Sequence, residues 1–134
     1  MKKTKQDYIN LLEETIAYYS NNFRSFKVDR SGTQTCLYKN PDTGHVCAVG
    51  RCLKISSFKD PDIIDNSTIF DIGEEIEMLL KKEYKGYNTE FWYLLQKLHD
   101  TDMYWKNPSS KKKELSKSGL KYKEKVIKKI ETFF

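Results

Sequence analysis

Apolar side chains recur every three or four residues from the N-terminal end of the chain, at Tyr8, Leu11, Leu12, Ile16 and Tyr19. This period places them on one face of a helix. Thr4, followed three residues later by Asp7, is typical of a helix start. The pattern therefore predicts a helix over about residues 5 to 20.

The middle of the chain contains the clearest β signal. Thr33–Lys39 and His45–Val49 are β-prone runs, and residues 40–44 between them place Asn, Pro, Asp and Gly at positions suited to a turn. This pattern predicts a β-hairpin. The mixed residues 23–30 before it indicate a loop or a short irregular strand, and the polar residues 56–68 after it indicate a long surface loop.

Two helices are predicted after this loop. Apolar residues at helical spacing cover about residues 69 to 83, and Gly86 is well placed to end that helix. Asn88 or Thr89 caps the next helix, whose apolar stripe ends at His99–Asp100.

The last predicted helix is rich in lysine. Residues 107–110, Asn-Pro-Ser-Ser, indicate a loop, and the helix that follows covers about residues 115 to 132. Its apolar positions are Tyr122, Val126 and Ile130, which share one face. Together the elements predict an α+β fold in which a small β-hairpin or short antiparallel sheet packs against about four helices.

The composition favours one folded domain over residues 1–134. Hydrophobic residues make up 38% of the chain and aromatic residues 13%, which at this length supplies a core without disulfides or metals. No segment has the length of a transmembrane helix, and the N-terminus lacks the apolar stretch of a signal peptide. Three cysteines, an odd number, favour free thiols in a reducing compartment. We therefore expect a cytoplasmic protein with no membrane partner.

Positive charge is concentrated near the C-terminus. Residues 106–129 contain ten lysines against Glu114 and Glu124, whereas the rest of the chain is weakly acidic. The segment Lys111–Lys129 suits nucleic acid or an acidic partner. The alternative is a solvated helix face, because 21 of the 24 basic residues are lysines and specific readout of phosphates or bases tends to use arginine.

The hairpin carries two cysteines and a histidine. A hairpin closed at residues 40–44 brings Cys36 and Cys47 within two residues of facing each other, and His45 shares a face with Cys47. These three residues are an alternative metal site. Their spacing, however, matches none of the usual zinc patterns, so buried inert thiols are favoured.

A cysteine nucleophile is a second chemical alternative. Cys47 would attack with His99 as its base, because a thiolate needs a nearby imidazole. Asp100 is a poor orienting acid, since neighbouring helical side chains point about 100° apart. In the structural alternative, His99 hydrogen-bonds at the end of its helix.

Aromatic residues cluster in sequence around His99. Tyr104 and Trp105 follow it, and Arg51 is a candidate to approach them in space. Rings beside a guanidinium suit a planar anion such as a nucleotide. Burial in the core is the alternative for each ring. No phosphate loop, dinucleotide fingerprint or common hydrolase motif occurs, so a cofactor is not expected and an enzyme is less favoured.

The segments Thr35–Tyr38, Gly44–Leu53 and Leu94–Asp100 resemble a family of small phage and prophage accessory proteins. Its pattern is C-x-Y, a short turn, G-x-x-C-A-[VI]-G and then L-Q-x-[IL]-H-D, within about residues 30 to 105. The resemblance implies a phage context and no particular activity. It directs attention to six positions: Cys36, Tyr38, Cys47, Gly50, His99 and Asp100.

These observations lead to a functional expectation with two alternatives. We expect a non-enzymatic accessory protein, acting in the host cytoplasm, that sequesters a nucleotide-like anion or blocks a host protein. Its ligand residues would be Tyr38, Arg51, His99, Asp100 and Trp105. The alternatives are a hydrolase that uses Cys47 and His99, and a nucleic-acid-binding protein that uses Lys111–Lys129. Unpaired hairpin edges also favour a homo-oligomer.

Overall fold

The computed structural model describes residues 2–24, 26–28, 34–36, 48, 50–53 and 76–134. In chain order the elements are α1 (Lys5–Ser20), β1 (Phe26–Val28), β2 (Gln34–Cys36), α2 (Ile76–Leu79), α3 (Thr89–Asp100), β3 (Trp105–Lys106), β4 (Glu114–Leu115) and α4 (Lys117–Glu131). Helices with small antiparallel hairpins confirm the predicted α+β fold.

The chain forms two compact units. Unit 1 contains Met1–Phe23 and Gly86–Phe134, and unit 2 contains Arg24–Lys85. The single domain expected over residues 1–134 stays a prediction.

In unit 1, α1 begins with the predicted cap. The Thr4 hydroxyl accepts a hydrogen bond from the Asp7 backbone N–H, and the Asp7 carboxylate accepts one from the Thr4 N–H at 2.8 Å. This reciprocal pair satisfies two donors that a helix start otherwise leaves open. The Thr4 backbone N–H lowers the pKa of Asp7, because it stabilises the charged carboxylate.

The core of unit 1 lies between α1, α3 and α4, and aromatic rings fill one end of it. Tyr8 makes ring contacts with Tyr87, Phe91, Phe133 and Phe134, with centroids 4.8 to 5.7 Å apart. The Tyr8 hydroxyl also accepts a hydrogen bond from the Asn88 backbone N–H at 2.8 Å. These contacts join α1 and the C-terminal residues of the chain to the start of α3.

The caps and bounds of α3 and α4 agree with the sequence pattern. Asn88 caps α3 by accepting a hydrogen bond from the Glu90 N–H at 2.8 Å. Ser116 caps α4, which begins two residues later than predicted because Leu115 belongs to β4.

Unit 1 contains a β-hairpin that was not predicted. Trp105 pairs with Leu115 and Lys106 with Glu114, so β3 and β4 form a two-residue ladder. It closes through the expected loop after residue 106, where Asn107 adopts a positive φ of 54°. The hairpin sets the start of α4, since the Ser116 N–H donates to the Tyr104 carbonyl at 2.9 Å.

Unit 2 contains the β1–β2 hairpin. Phe26 pairs with Cys36 and Val28 with Gln34 in antiparallel register. The predicted strand at residues 33–39 is therefore confirmed over Gln34–Cys36, and its described partner is the segment for which a loop or short strand was predicted. Except for Ala48, the expected partner strand His45–Val49 lies outside the described residues, as does the predicted loop 56–68.

The helix predicted over residues 69 to 83 is wrong at its C-terminal end. In the described part, α2 ends at Leu79, because Leu80 forms an antiparallel bridge with Leu53. The Lys81 N–H then donates to the Cys52 carbonyl at 2.9 Å. A short 3-10 turn follows at Lys82–Tyr84, and Gly86 has the positive φ, 96°, expected of a chain reversal.

No helix among residues 2–24 and 76–134, or the short described stretches between them, is long and apolar enough to cross a membrane.

Candidate nucleic-acid interface

The exposed side of α4 carries a row of lysines. The helix buries Gly119, Tyr122, Val126 and Ile130. Opposite that buried side it exposes four lysines, which we call the lysine face: Lys117, Lys121, Lys125 and Lys128.

The lysine face is narrow and long. At about 100° per residue, its four positions fall within an arc of about 80°. From Lys117 to Lys128 the face extends about 16 Å along the helix axis. The lysines thus form one stripe that is complementary to a linear polyanion.

Three other lysines of this region have carboxylate partners. Lys106 pairs with Glu114 at 3.0 Å, Lys123 with Glu13 at 2.7 Å and Lys129 with Glu90 at 3.1 Å. By contrast, Lys111, Lys112 and the four lysines of the lysine face are exposed and make no ion pair with any residue that the structure describes. Their exposed ammonium groups distinguish them from the paired lysines of the same segment.

Lys113 has a structural role. Its side chain is only 9% exposed, and its Nζ donates to the carbonyls of Asn22 at 2.7 Å and Ser110 at 3.1 Å. The ammonium group also lies 5.4 Å from the centre of the Trp105 ring. No basic residue lies in the last turn of α1, so Lys113 supplies the positive charge that a helix C-terminus favours.

We expect Lys113→Met to lower the free energy of unfolding by about 2 kcal/mol, because two carbonyls lose a charged donor in a buried place. Urea denaturation followed by circular dichroism measures the change. Lys112→Met, at the exposed neighbouring position, is the control and is expected to change stability by less than about 0.5 kcal/mol. Equal losses for the two variants would contradict the structural role.

The three kinds of comparison give one result. No family model, curated protein or solved structure matches the chain.

His99 lies in the core of unit 1. Its side chain is 1% exposed, and its ring meets the Tyr19 ring edge to face at 4.8 Å. Its Nδ1 is 2.6 Å from Asp100 Oδ1, which also accepts a hydrogen bond from Gln96 Nε2 at 2.8 Å. Asp100, the last residue of α3, is therefore within hydrogen-bonding distance of the imidazole, although the 100° spacing of neighbouring helical side chains argued against such a contact.

Trp105 is also part of the core. It is 3% exposed, and its indole Nε1–H donates to the Leu98 carbonyl at 2.9 Å. These contacts account for the ring without a ligand. The ligand-binding roles of His99, Asp100 and Trp105 stay predictions.

Arg51 lies in unit 2, where its guanidinium is 5.7 Å from the centre of the Tyr84 ring and its Nη1 donates to the Tyr84 hydroxyl at 3.5 Å. Tyr38 and Gly44 lie outside the described residues. The predicted ligand site that joins Tyr38, Arg51 and His99 therefore stays a prediction.

The cysteine alternatives fall largely outside the described residues. His45 and Cys47 are not among them, and Cys36 is described only by its backbone in β2. Cys52 is buried, and its thiol donates a hydrogen bond to the Ala48 carbonyl at 3.6 Å. In the described part of the chain, no group of three His, Cys, Asp or Glu side chains is placed to hold a metal.

Proposed function

We propose that the chain is a non-enzymatic binding protein that holds a nucleic-acid backbone on the lysine face. The supporting observation is the division of the C-terminal lysines into two sets. Those that point toward other elements are paired or buried, and those on the outer side of α4 are exposed and make no ion pair within the described part of the chain.

The chemistry of the lysine face favours phosphates over a protein partner. Protein interfaces concentrate their binding energy in aromatic and arginine residues near the centre of the contact. The lysine face contains neither. Lysines in a regular row provide point charges that attract a phosphate backbone without reading sequence.

The phage context stays a proposal that rests on the resemblance of residues 35–53 and 94–100. A small accessory protein that coats nucleic acid in the host cytoplasm would protect it from host enzymes or compete for it. Blocking of a host protein and capture of a nucleotide-like anion remain the alternative proposals.

The test is the salt dependence of binding to fluorescein-labelled nucleic acids, followed by fluorescence anisotropy. With four phosphates neutralised on a single strand, we expect the affinity to fall by roughly 50-fold between 50 and 200 mM salt. In Lys121→Gln/Lys125→Gln the slope of log affinity against log salt is expected to fall to about half.

The matched control is Lys123→Gln/Lys129→Gln. It removes the same two charges from the same helix, but from lysines that Glu13 and Glu90 already hold. We expect its salt slope to equal that of the wild type. Equal weakening by both double variants would mean that only net charge matters, and salt-insensitive or absent binding would reject the proposal.

A further inference from the structure

The exposed side of α4 changes its chemistry across the width of the helix. At about 100° per residue, Glu124 lies about 20° beyond Lys117, on the side away from the other three lysines. Leu120 lies about 40° farther on in the same direction. The order across the helix is therefore ammonium groups, a carboxylate and an apolar side chain.

The two groups beside the lysine face are exposed. Leu120 is 52% exposed. Met103, 66% exposed, lies next to the start of α4, because its carbonyl accepts a hydrogen bond from the Ser116 hydroxyl. Glu124 is exposed as well and makes no ion pair with a described residue, although Lys121 and Lys128 lie one turn away.

A single nucleic-acid strand has the same order across its width. It presents phosphates along one side, then sugars, then the bases, which are free to lie against a protein surface. In a duplex the bases are paired inside and their faces are not available. The combination of an apolar edge and a lysine row therefore fits a single strand.

Glu124 is placed to distinguish a strand that contains ribose from one that contains deoxyribose. An ionised carboxylate only accepts hydrogen bonds, and it repels phosphates. Of the backbone groups between phosphate and base, the ribose 2′-hydroxyl is the one that donates a hydrogen bond, and DNA lacks it. A carboxylate beside the lysine row thus repels the phosphates of either strand. Only RNA offsets this repulsion, because its 2′-hydroxyl donates a hydrogen bond to the carboxylate.

We infer that the lysine face binds single-stranded RNA in preference to DNA, with Glu124 accepting a hydrogen bond from a ribose 2′-hydroxyl and with Leu120 and Met103 against the bases. This inference rests on the proposed function, because it needs the phosphates to lie on the lysine face. It adds a substrate class and a residue that determines specificity.

The experiment compares two oligomers of about 12 nucleotides that differ only in the 2′-hydroxyl, oligouridine and oligodeoxyuridine. At low salt we expect the wild type to bind the RNA about fivefold more tightly, the size of one ordinary exposed hydrogen bond. Glu124→Ala removes both the repulsion of phosphates and the hydrogen-bond acceptor. It is therefore expected to tighten DNA binding and bring the ratio of RNA affinity to DNA affinity near one. Glu124→Gln keeps a carbonyl acceptor and is expected to tighten both while retaining most of the preference.

The outcomes separate this inference from the proposed function. If the wild type binds neither oligomer nor a duplex of the same length, the proposed function fails. If it binds both with a normal salt slope but equal affinity, or if Glu124→Ala keeps the wild-type ratio, only the RNA inference is overturned. Tighter binding of a duplex of the same length would also overturn it.

Discussion

Replacement of Gly119 with alanine is expected to lower the free energy of unfolding by about 3 kcal/mol, the upper part of the range for an overfilled contact. A Cβ built on Gly119 would lie only 2.1 Å from the Tyr104 carbonyl oxygen and 3.0 Å from a methyl carbon of Leu115. The obstructing atom is backbone, so a side-chain rotation does not relieve it. Thermal or urea denaturation measures the loss.

The control for this prediction is Ser118→Ala, at the neighbouring position in the first turn of α4. It introduces the same residue with its favourable helix propensity, at a position that already carries a Cβ. We expect it to change stability by less than about 0.5 kcal/mol. If Gly119→Ala is as stable as Ser118→Ala, the close approach of the helix to residues 102–104 is not a constraint on the fold.

Gly119 also connects the fold to the proposed site. The same approach that excludes a Cβ sets the start of α4 against the turn that contains Tyr104. Farther along the helix, the Tyr122 ring stacks on Tyr104 with centroids 4.5 Å apart, and its hydroxyl donates to the Leu94 carbonyl at 2.9 Å. Burial raises the pKa of Tyr122, and Tyr104 contributes to the rise. These contacts fix which side of α4 faces outward.

The helices were predictable because their signals are local. Thr4 with Asp7 and Asn88 before α3 form the caps that their residue types indicate, and the apolar spacing of Tyr122, Val126 and Ile130 identified the buried side of α4. The end of α2 was not predictable in the same way. Leu79 and Leu80 look alike in sequence, and the helix ends between them because Leu80 pairs with Leu53, a contact that local spacing does not encode.

The short hairpins were difficult to predict from the sequence for a different reason. Two-residue strands such as Trp105–Lys106 are too short for an alternating pattern, so the β3–β4 ladder had no periodic signal. The one available hint was an Asn-Pro-Ser-Ser turn with Trp105 before it and Leu115 a few residues after it. For β2, the residues were identified as a strand, but the described partner Phe26–Val28 was predicted only as part of a loop or short irregular strand, because the β propensity of Gln34–Cys36 does not specify what it pairs with.

The candidate site was partly predictable. Charge counting located the basic segment Lys111–Lys129, but it treated all lysines alike. Only tertiary contacts separate buried Lys113 and the lysines paired with Glu13 and Glu90 from the lysine face. Similarly, the sequence placed Trp105 and His99 near each other, and burial was needed to show that both rings contribute to the core.

Trp105→Ala is the second substitution with a large expected effect, a loss of about 4 kcal/mol in the free energy of unfolding. The ring is almost fully buried in unit 1, its Nε1–H donates to the Leu98 carbonyl, and the Lys113 ammonium lies over it. Removing the ring leaves a large cavity and also removes the aromatic face over which the Lys113 ammonium lies. Because this variant is at risk of not folding, Trp105→Phe is the informative partner.

Trp105→Phe keeps most of the apolar ring and loses the hydrogen bond to Leu98, so we expect a smaller loss of about 2 kcal/mol and a folded protein. Urea denaturation gives the stability of the variant, and anisotropy with the labelled RNA gives its affinity. A core role predicts reduced stability with RNA affinity within about twofold of the wild type, since Trp105 is not on the lysine face. Unchanged stability would reject the core role, whereas a large loss of RNA affinity in the folded variant would place Trp105 in a binding site, as its position near His99 in the sequence first indicated.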